Sequence, residues 1–368
     1  MIQNSHFFYK KRFLECARML GGKYVSKGSY GCVFTPALKC KGKIKKISNP
    51  SDDLSYSKII LDENAEEEFS IGQRISKIPL WKNYFIISES ICTPAKKQTE
   101  PELNKCTILQ DHIITDFRIL HMPAGGVPFS RWRTNMESFD FMRFVTHLIE
   151  AGALLNLFGI VHRDLHGGNI LINDDIPKII DYNLSVDVKQ TISTEELHMH
   201  LRHRHEINLS QESPDATLVN AVSVFGHKPN IIIESIIYKK HIIDKIVNTL
   251  NVDRHDMIKS LETFYYKNKD VKASNCGEWF HGYWRTIDSW SIGVIILELI
   301  HKLSLWSDFY VILNKHKSKL FPMLKKLCAV SPIERIDCVQ ALHYLDPQHF
   351  IIRKYAKDWL TKIGYGNI

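Results

Sequence analysis

The stretch from Val161 to Ser185 restricts the fold of this chain more than any other part of it. It reads VHRDLHGGNILINDDIPKIIDYNLS. Two apolar runs, 170–172 and 179–180, alternate with polar segments, which is typical of a small hairpin with a polar loop at each end. Burial of the apolar runs would fix the backbone and therefore the polar side chains that follow each strand.

Two carboxylates and one amide in this stretch can point at one place: Asp164, Asn169 and Asp181. One acid can orient an attacking hydroxyl and accept its proton, while the amide and the second acid hold Mg²⁺ on phosphates. The pattern therefore predicts metal-assisted phosphoryl transfer. The alternative is a surface turn rich in Asp, but the full order HRDxxxxN followed by Asp-Tyr-Asn is far more specific than HRD alone.

The stretch resembles the catalytic and magnesium loops of protein kinases, with two departures. His166 stands where serine/threonine kinases usually carry Lys, and Tyr182-Asn183 replace Phe-Gly. The resemblance implies that His166 contacts the γ-phosphate when protonated. Asn tolerates left-handed backbone better than most residues, so we expect Asn183 to keep the turn.

Residues 25–34 have strand residues on both sides of a glycine turn and resemble the kinase loop GxGxxGxV that covers the ATP phosphates. The resemblance implies nucleotide contacts by Ser26, which replaces the first glycine, and by Gly28, Gly31 and Val33. Glycines let backbone N–H groups approach phosphates without obstruction by a side chain. Gly-Ser-Tyr-Gly alone is also an ordinary hairpin turn.

A kinase also needs a strand lysine paired with a helix glutamate. Lys45 or Lys46 in Gly42–Ile47 is one candidate. Lys58, in the more apolar strand 54–61, is the one that we predict, on the second strand of a hairpin that turns at Asn49–Asp53. The acidic segment from Asp62 predicts a helix. The order from Ala65 to Glu68 resembles the kinase helix that presents the paired glutamate, which implies Glu68 as the partner of Lys58. Glu66 and Glu67 are expected to be solvated.

Further segments follow in kinase order. Strands are predicted at 84–87 and 117–122 and a helix at 137–158. By resemblance, Leu120 is the gatekeeper and His121 and Met122 belong to the adenine-binding hinge. Pro123 lacks the N–H that one usual adenine hydrogen bond would need.

The later motifs resemble the large lobe of a kinase. Ser213-Pro214-Asp215 resembles the end of an activation segment, and Asp288–Leu299 resembles the buried helix DxWSxGxxxxEL. Ser331–Ile336 resembles the late kinase turn whose arginine pairs with the acid that ends the activation segment, and this resemblance implies a buried ion pair of Arg335 with Asp215. The long separation of Asp215 from Asp288 implies an insertion near 216–286, within which Ile231–Leu250 has helical spacing.

Composition excludes little. The net charge of +8 favours acidic partners without choosing among them, and with no basic stripe or aromatic stacking motif a nucleic-acid-binding protein is not favoured. None of the eight Cys shows CxxC spacing, so we expect free thiols and neither a disulfide framework nor a zinc site. The longest apolar run, Ile292–Ile300, contains Glu298 and is too short for a membrane span. No signal peptide opens the sequence, so a cytoplasmic protein is expected.

Two basic segments have less specific patterns. Residues 1–20 are expected to form a basic amphipathic helix that packs on the rest of the protein rather than on a membrane or nucleic acid. The run His198–His205 is expected to be a solvated loop rather than a metal or phosphate site, because no Cys or acid completes a ligand set.

The resemblance covers residues 23 to about 350. It implies an α+β, two-lobed protein-kinase-like fold: a helical extension at 1–22, a β-rich small lobe at 23–122 and a helical large lobe at 123–368. It also implies transfer of the ATP γ-phosphate to protein hydroxyls with Mg²⁺, with serine/threonine favoured. Details such as the short spacing from Lys58 to Glu68 look similar to kinases of large cytoplasmic DNA viruses, which places the protein in host cytoplasm or a virion.

Two other functions stay open. A small-molecule kinase of the aminoglycoside or choline type also uses HxDxxxxN, although the Asp288-Trp290 helix and Ser213-Pro214-Asp215 argue against it. A pseudokinase scaffold would bind partners without turnover, although the presence of Lys58, Asp164, Asn169 and Asp181 argues against that.

Overall fold

A computed structural model places the chain in the α+β class. It forms two compact units. The small unit comprises Met1–Gly126 and Ile180–Asn183, and the large unit comprises Val127–Ile179 and Leu184–Ile368. The structure describes residues 22–28, 30–98, 100–110, 112–190, 197, 206–226, 228–273, 275–366 and 368. The predicted N-terminal helix at 1–20 and the run His198–His205 lie outside these residues.

The small unit is built on one antiparallel sheet of six strands in the order β1-β2-β4-β6-β5-β3. Its strands are β1 (Lys23–Lys27), β2 (Gly31–Thr35), β3 (Cys40–Lys46), β4 (Tyr56–Leu61), β5 (Ser90–Pro94) and β6 (Phe117–Met122). Its helices are α1 (Asp62–Ile75), α2 (Trp81–Tyr84) and α3 (Glu100–Leu103), with 3₁₀ turns at Thr107–Leu109 and Ile114–Asp116.

The predicted hairpin between strand 42–47 and strand 54–61 is wrong. β4 lies between β2 and β6, whereas β3 lies at the far edge and, among the described strands, pairs only with β5. The residue types explain the arrangement: β4 is buried along most of its length, while β3 is largely exposed and lysine-rich, as suits an edge strand that must resist further pairing.

The strand predicted at 84–87 is also wrong. Helix α2 ends at Tyr84, and Phe85, Ile86 and Ile87 are buried but belong to no regular strand; β5 starts only at Ser90. A short buried apolar run has no periodicity that separates a strand from an irregular segment. The strand predicted at 117–122 and the helix predicted from Asp62 are confirmed.

Two disulfides overturn the expectation of free thiols. Cys32 pairs with Cys106 and Cys40 with Cys92, with Cα–Cα distances of 5.9 and 5.7 Å. The partners are 74 and 52 residues apart, so no local spacing could reveal them. Cys328 and Cys338 remain thiols in the large unit, and burial raises the pKa of Cys328 to about 12.

The large unit is mostly helical. Its helices are α4 (Phe141–Phe158), α5 (Pro214–Phe225), α6 (Pro229–Lys239), α7 (His241–Leu250), α8 (Arg254–Lys267), α9 (Lys269–Lys272), α10 (Cys276–Tyr283), α11 (Ile287–Leu303), α12 (Ser307–Leu327), α13 (Cys338–Leu345), α14 (Phe350–Tyr355) and α15 (Lys357–Ile363). Its short strands are β7 (Val127–Pro128), β8 (Ile160–Val161), β9 (Ile170–Asn173), β10 (Ile176–Ile179) and β11 (Val186–Asp187), with 3₁₀ turns at Gly167–Asn169 and Trp284–Thr286.

Local signals set most of these boundaries. α4 begins at Phe141, later than the predicted 137, because the Asp140 carboxylate accepts a hydrogen bond from the Arg143 N–H and caps the helix; Gly159 ends it with φ of 74°. The helical spacing at Ile231–Leu250 belongs to two helices that break at Lys240, whose backbone is extended. The hairpin predicted within Val161–Ser185 is confirmed as β9 and β10.

The core of the large unit contains helices that are apolar nearly all round. α11 is buried along almost its entire length, and Trp290 within it is fully buried. Among the described residues one helix, α4, is long and apolar enough to cross a membrane, and 61% of that window is buried inside the protein. The described part of the chain is therefore not a multi-span membrane protein.

Candidate active site

A buried lysine with two carboxylates forms the polar centre of the small unit. Lys58 Nζ lies 2.8 Å from Glu68 Oε2 and 3.0 Å from Asp181 Oδ1. Lys58 is 6% exposed and Glu68 is 3% exposed. The predicted pairing of Lys58 with Glu68 is thus present, and Lys45 instead pairs with Glu66 on the surface, where their side chains are 57% and 52% exposed.

The sheet and α1 place the two partners. Lys58 occupies the middle of β4, opposite Val33 of β2 and Leu120 of β6. Glu68 lies on the buried side of α1, whereas Glu66 and Glu67 face solvent as expected. The Ser88 hydroxyl donates to the second Glu68 oxygen at 3.1 Å, so both oxygens of this buried carboxylate are satisfied.

Burial and the neighbouring charges shift the pKa values of Lys58 and Glu68 in opposite directions. Burial lowers the pKa of Lys58, but the carboxylates of Glu68 and Asp181 more than offset that effect, and the pKa of Lys58 is raised overall. Burial raises the pKa of Glu68, and Lys58 opposes this. Since the Glu68 oxygens accept from an ammonium and a hydroxyl, the ionised form is the one whose contacts are complete.

The backbone at Asp181, whose carboxylate contacts Lys58, has an unusual conformation. Its φ is 66°, in the left-handed region that few non-glycine residues adopt. The Asn183 amide donates to Asp181 Oδ1 at 3.0 Å. Asn183 was expected to hold the turn by its own backbone, but the structure puts the positive φ at Asp181, and Asn183 acts through its side chain. Tyr182 between them is buried, and burial raises its pKa well above the usual value.

The large unit holds the second group of predicted residues. The Asn169 amide donates to the Asp164 backbone oxygen at 2.9 Å and to Asp164 Oδ2 at 3.2 Å. The Gln211 amide donates to Asp164 Oδ1 at 2.9 Å. Both carboxylate oxygens of Asp164 are therefore oriented by amide donors, which hold the carboxylate in one position.

Sequence reasoning missed Gln211. The only sequence signal is its place two residues before the Ser213-Pro214-Asp215 motif. Its backbone is held against α11, where Ser291 Oγ donates to the Gln211 carbonyl at 2.8 Å and Trp290 Nε1 donates to the Ser210 carbonyl at 2.9 Å. The side chain is therefore presented to Asp164 from a fixed segment.

Asp288 fixes the backbone at His162 and Arg163, which directly precede Asp164. Its two carboxylate oxygens accept from the backbone N–H groups of His162 at 2.7 Å and Arg163 at 2.9 Å. Arg163 has φ of 68°, so this contact stabilises a backbone that would otherwise be disfavoured. Burial raises the pKa of Asp288, and the nearby His162 opposes that effect.

His166 lies on the wall of a cleft in the large unit. Its Nδ1 accepts from the Gly168 N–H at 3.0 Å, and its Nε2 lies 3.8 Å from Asp164 Oδ2. The cleft has a volume of about 810 Å³. Its walls also include Gln211, Glu298, Lys302 and Trp306.

The glycine turn and the hinge segment lie in the small unit. The Gly28 N–H donates to the Gly31 carbonyl at 2.8 Å, which closes the turn between β1 and β2. A Cβ at Gly31 would collide with the Ile59 carbonyl oxygen, so this glycine is required by the packing of β2 on β4; a Cβ at Gly28 would make an ordinary contact. Ser26 is exposed and opposite Val33.

Leu120, the predicted gatekeeper, and the predicted hinge residues His121 and Met122 lie at the end of β6. Leu120 is fully buried beside Lys58, and Met122 is the last residue of the strand. The His121 carbonyl accepts from the Glu89 N–H at 2.8 Å, and its imidazole is buried against Ser90 and Leu38.

The predicted ion pair of the large unit is confirmed. Arg335 Nη2 lies 2.6 Å from Asp215 Oδ1, and both side chains are fully buried. Asp215 Oδ2 also accepts from Trp279 Nε1 at 3.2 Å. The pair thus ties the start of α5 to the segment before α13.

Comparison with known proteins does not identify a family: no protein-family model matches the chain, and no curated protein matches it.

Proposed function

We propose that this protein is an ATP- and Mg²⁺-dependent kinase with the two-lobed protein-kinase fold, which transfers the γ-phosphate to protein hydroxyls, with serine or threonine favoured. The buried group of Lys58, Glu68 and Asp181 carries the proposal. Burial of an ammonium and two carboxylates costs desolvation free energy. Such a buried group therefore indicates a functional or structural role. An ammonium fixed in this way is suited to bind phosphate oxygens.

The donor set fits Mg²⁺. One ammonium faces two carboxylates, so the Lys58 group carries one surplus negative charge that a divalent cation would offset. Asn183 Oδ1, beside Asp181, is a buried oxygen with no hydrogen-bond partner among the described residues. Carboxylate and amide oxygens are the ligands that Mg²⁺ prefers. Asp181 would hold the ion, which when bound would neutralise charge on the phosphates; Asn169 is the second ligand that the resemblance implies.

In the proposed reaction the small unit holds the nucleotide phosphates. Lys58 contacts the phosphate oxygens, and Glu68 keeps its ammonium in place. The turn between β1 and β2 covers the phosphates with backbone N–H groups, for which Gly28 supplies the open approach. The end of β6, at Leu120, His121 and Met122, is assigned to adenine.

The large unit activates the acceptor. Asp164 orients the acceptor hydroxyl and accepts its proton, with its carboxylate held by Asn169 and Gln211. His166 Nδ1 already accepts from Gly168, so the proton of a neutral imidazole is on Nε2. Nε2 is therefore the atom of His166 that can donate to a phosphate oxygen.

The buried Asp215–Arg335 pair and the buried Trp290 helix favour a protein acceptor over a small alcohol, because these features accompany the activation segment of protein kinases in the resemblance. The test is transfer of radiolabelled phosphate from ATP–Mg²⁺ to generic proteins and, separately, to small alcohols. Transfer to alcohols alone would identify a small-molecule kinase. Nucleotide binding without transfer to either would identify a scaffold.

Matched variants sharpen this test. Lys58→Met should lose transfer by orders of magnitude, whereas Lys45→Met, which removes the surface pair with Glu66, should retain most of it. Asp164→Asn should abolish transfer yet leave ATP–Mg²⁺ binding largely intact, because Asp164 acts on the acceptor. Transfer by Asp164→Asn within about tenfold of the parent would contradict the assignment, since a general base contributes at least about 100-fold.

A further inference from the structure

Three side chains that commonly bind metals meet in the small unit on neighbouring strands. Cys40 lies on β3, Cys92 on β5 and His121 on β6, three strands that are consecutive in the sheet. The two Sγ atoms and one imidazole nitrogen all lie within 4.8 Å of one another. Cys92 and His121 are buried and Cys40 is partly buried.

We propose that reduction of the Cys40–Cys92 disulfide creates a binding site for a thiophilic divalent ion of the Zn²⁺ class, with Cys40 Sγ, Cys92 Sγ and His121 Nε2 as its ligands. The proposal does not require phosphoryl transfer, although the site shares His121 with the segment assigned to adenine. The disulfide and the ion exclude each other because both use the same two sulfur atoms.

The distances suit a tetrahedral ion after a small movement. Zn–S and Zn–N bonds of about 2.3 and 2.0 Å place a sulfur and a nitrogen ligand about 3.5 Å apart and two sulfur ligands about 3.8 Å apart. Cys40 Sγ and His121 Nε2 are 3.8 Å apart. The sulfur atoms must separate on reduction, and rotation of two cysteine side chains on neighbouring strands can supply that separation. The fourth position is left for water.

The imidazole is already oriented as metal-binding histidines usually are. Its Nδ1 lies 2.9 Å from Ser90 Oγ. A hydrogen bond from the second ring nitrogen is the usual support of a ligating histidine. Nε2 lies 3.2 Å from the Leu38 carbonyl and donates to it. Because a serine hydroxyl can donate or accept, the ring can move its proton to Nδ1 and free Nε2 for the ion.

Charge and burial also favour the ion. Two thiolates and a divalent cation sum to zero charge, and a neutral complex avoids the cost of an unpaired charge in a buried site.

The chemistry balances with an external dithiol. One thiolate of the dithiol attacks a sulfur of the Cys40–Cys92 bond, and its second thiol releases the mixed disulfide. The dithiol is oxidised to its disulfide, and the protein gains two electrons and two protons as two thiols. Ion binding then releases those two protons, because thiolates are the ligands.

The second disulfide provides a matched control. Cys32–Cys106 lies in the same unit, and both of its cysteines are buried. Among the described ranges, Cys40, Cys92 and His121 are the one group of three or more His, Cys, Asp or Glu side chains close enough to share an ion. Reduction of Cys32–Cys106 should therefore create no site.

The experiment uses the full chain, reduced with a dithiol that is then removed under anaerobic conditions, and titrated with Co²⁺ as a spectroscopic probe. We expect one Co²⁺ per chain with tetrahedral absorption and thiolate charge-transfer bands, displaced by Zn²⁺ and not seen in the oxidised chain. Cys92→Ser and His121→Ala should each weaken binding by more than about 100-fold, beyond the effect of losing a supporting partner. Cys32→Ser should bind Co²⁺ like the parent.

A second measurement locates the site without any variant. In the reduced parent, Zn²⁺ should slow alkylation of Cys40 and Cys92, measured by peptide mass spectrometry, and leave alkylation of Cys32 and Cys106 unchanged. Absence of Co²⁺ binding by the reduced parent would overturn the proposal. So would equal protection of all four cysteines, or binding by Cys92→Ser as tight as that of the parent.

Discussion

The buried ion pair in the large unit allows a quantitative test of the structure. Arg335→Met removes the cation that faces Asp215 while keeping much of the side-chain volume. Both partners are 0% exposed, so the Asp215 carboxylate would stay buried with the Trp279 indole N–H as its only hydrogen-bond donor among the described residues. An uncompensated buried charge costs about 3–5 kcal/mol. We expect the free energy of unfolding to fall by that amount.

The opposite substitution should cost less. Besides Asp215, Arg335 donates to the carbonyl oxygens of Ala329, Thr286 and Val330 and lies over the Trp290 ring. In Asp215→Asn these acceptors still stabilise the guanidinium, and the free energy of unfolding should fall by about 1–3 kcal/mol. The double variant removes both charges, so its loss should be smaller than the sum of the single losses by up to about 3 kcal/mol.

The assay is equilibrium unfolding in urea at neutral pH, followed by tryptophan fluorescence and far-UV circular dichroism. Asp244→Asn is the matched control, because Asp244 pairs with Arg254 but its side chain is 55% exposed. Asp244→Asn should lower the free energy of unfolding by less than about 1 kcal/mol. A loss of less than about 1 kcal/mol for Arg335→Met, or strict additivity in the double variant, would refute the reasoning.

Three further outcomes are expected. In the proposed phosphate transfer, Gln211→Ala should lower kcat with little change in KM for ATP, because the amide orients Asp164 and is not assigned to the nucleotide; an unchanged kcat would contradict this role. Asp288→Ala should increase hydrogen exchange at His162 and Arg163, whose N–H groups it holds, and unchanged exchange there would contradict this. Burial lowers the pKa of Lys240 from 10.5 to about 8. Between these pH values the unfolded chain binds one more proton than the folded chain, so the free energy of unfolding should rise with pH by about 3 kcal/mol. Lys240→Met should flatten that rise, measured by urea unfolding.

Local chemistry explains what the sequence could predict. The acidic first turn of α1, the β9–β10 hairpin and the Asp215–Arg335 pair were all expected, because each depends on residue types at short range or on an ordered set of motifs. Lys58 was preferred over Lys45 because its strand is more apolar, and that burial is what makes its pairing with Glu68 possible.

Long-range pairing explains what the sequence could not predict. The position of β3 at the sheet edge depends on which strands meet across the sheet, and the Asn-Pro-Ser-Asp-Asp turn looks the same with or without a hairpin. The Cys40–Cys92 disulfide depends on that same position, since β3 pairs with β5. Gln211 is a polar residue in a polar segment, and its approach to Asp164 results from hydrogen bonds to α11.

The division of the chain has a practical consequence for dissecting the protein. The small unit includes Ile180–Asn183, which follow its main segment by more than fifty residues (180 − 126). A fragment that ends at Gly126 would keep Lys58 and Glu68 but lose Asp181 and the buried Tyr182. Loss of a buried aromatic ring alone costs about 3–5 kcal/mol. Stable expression of the small unit should therefore require the later tetrapeptide to be supplied, for example as a linked C-terminal extension or by permuting the chain.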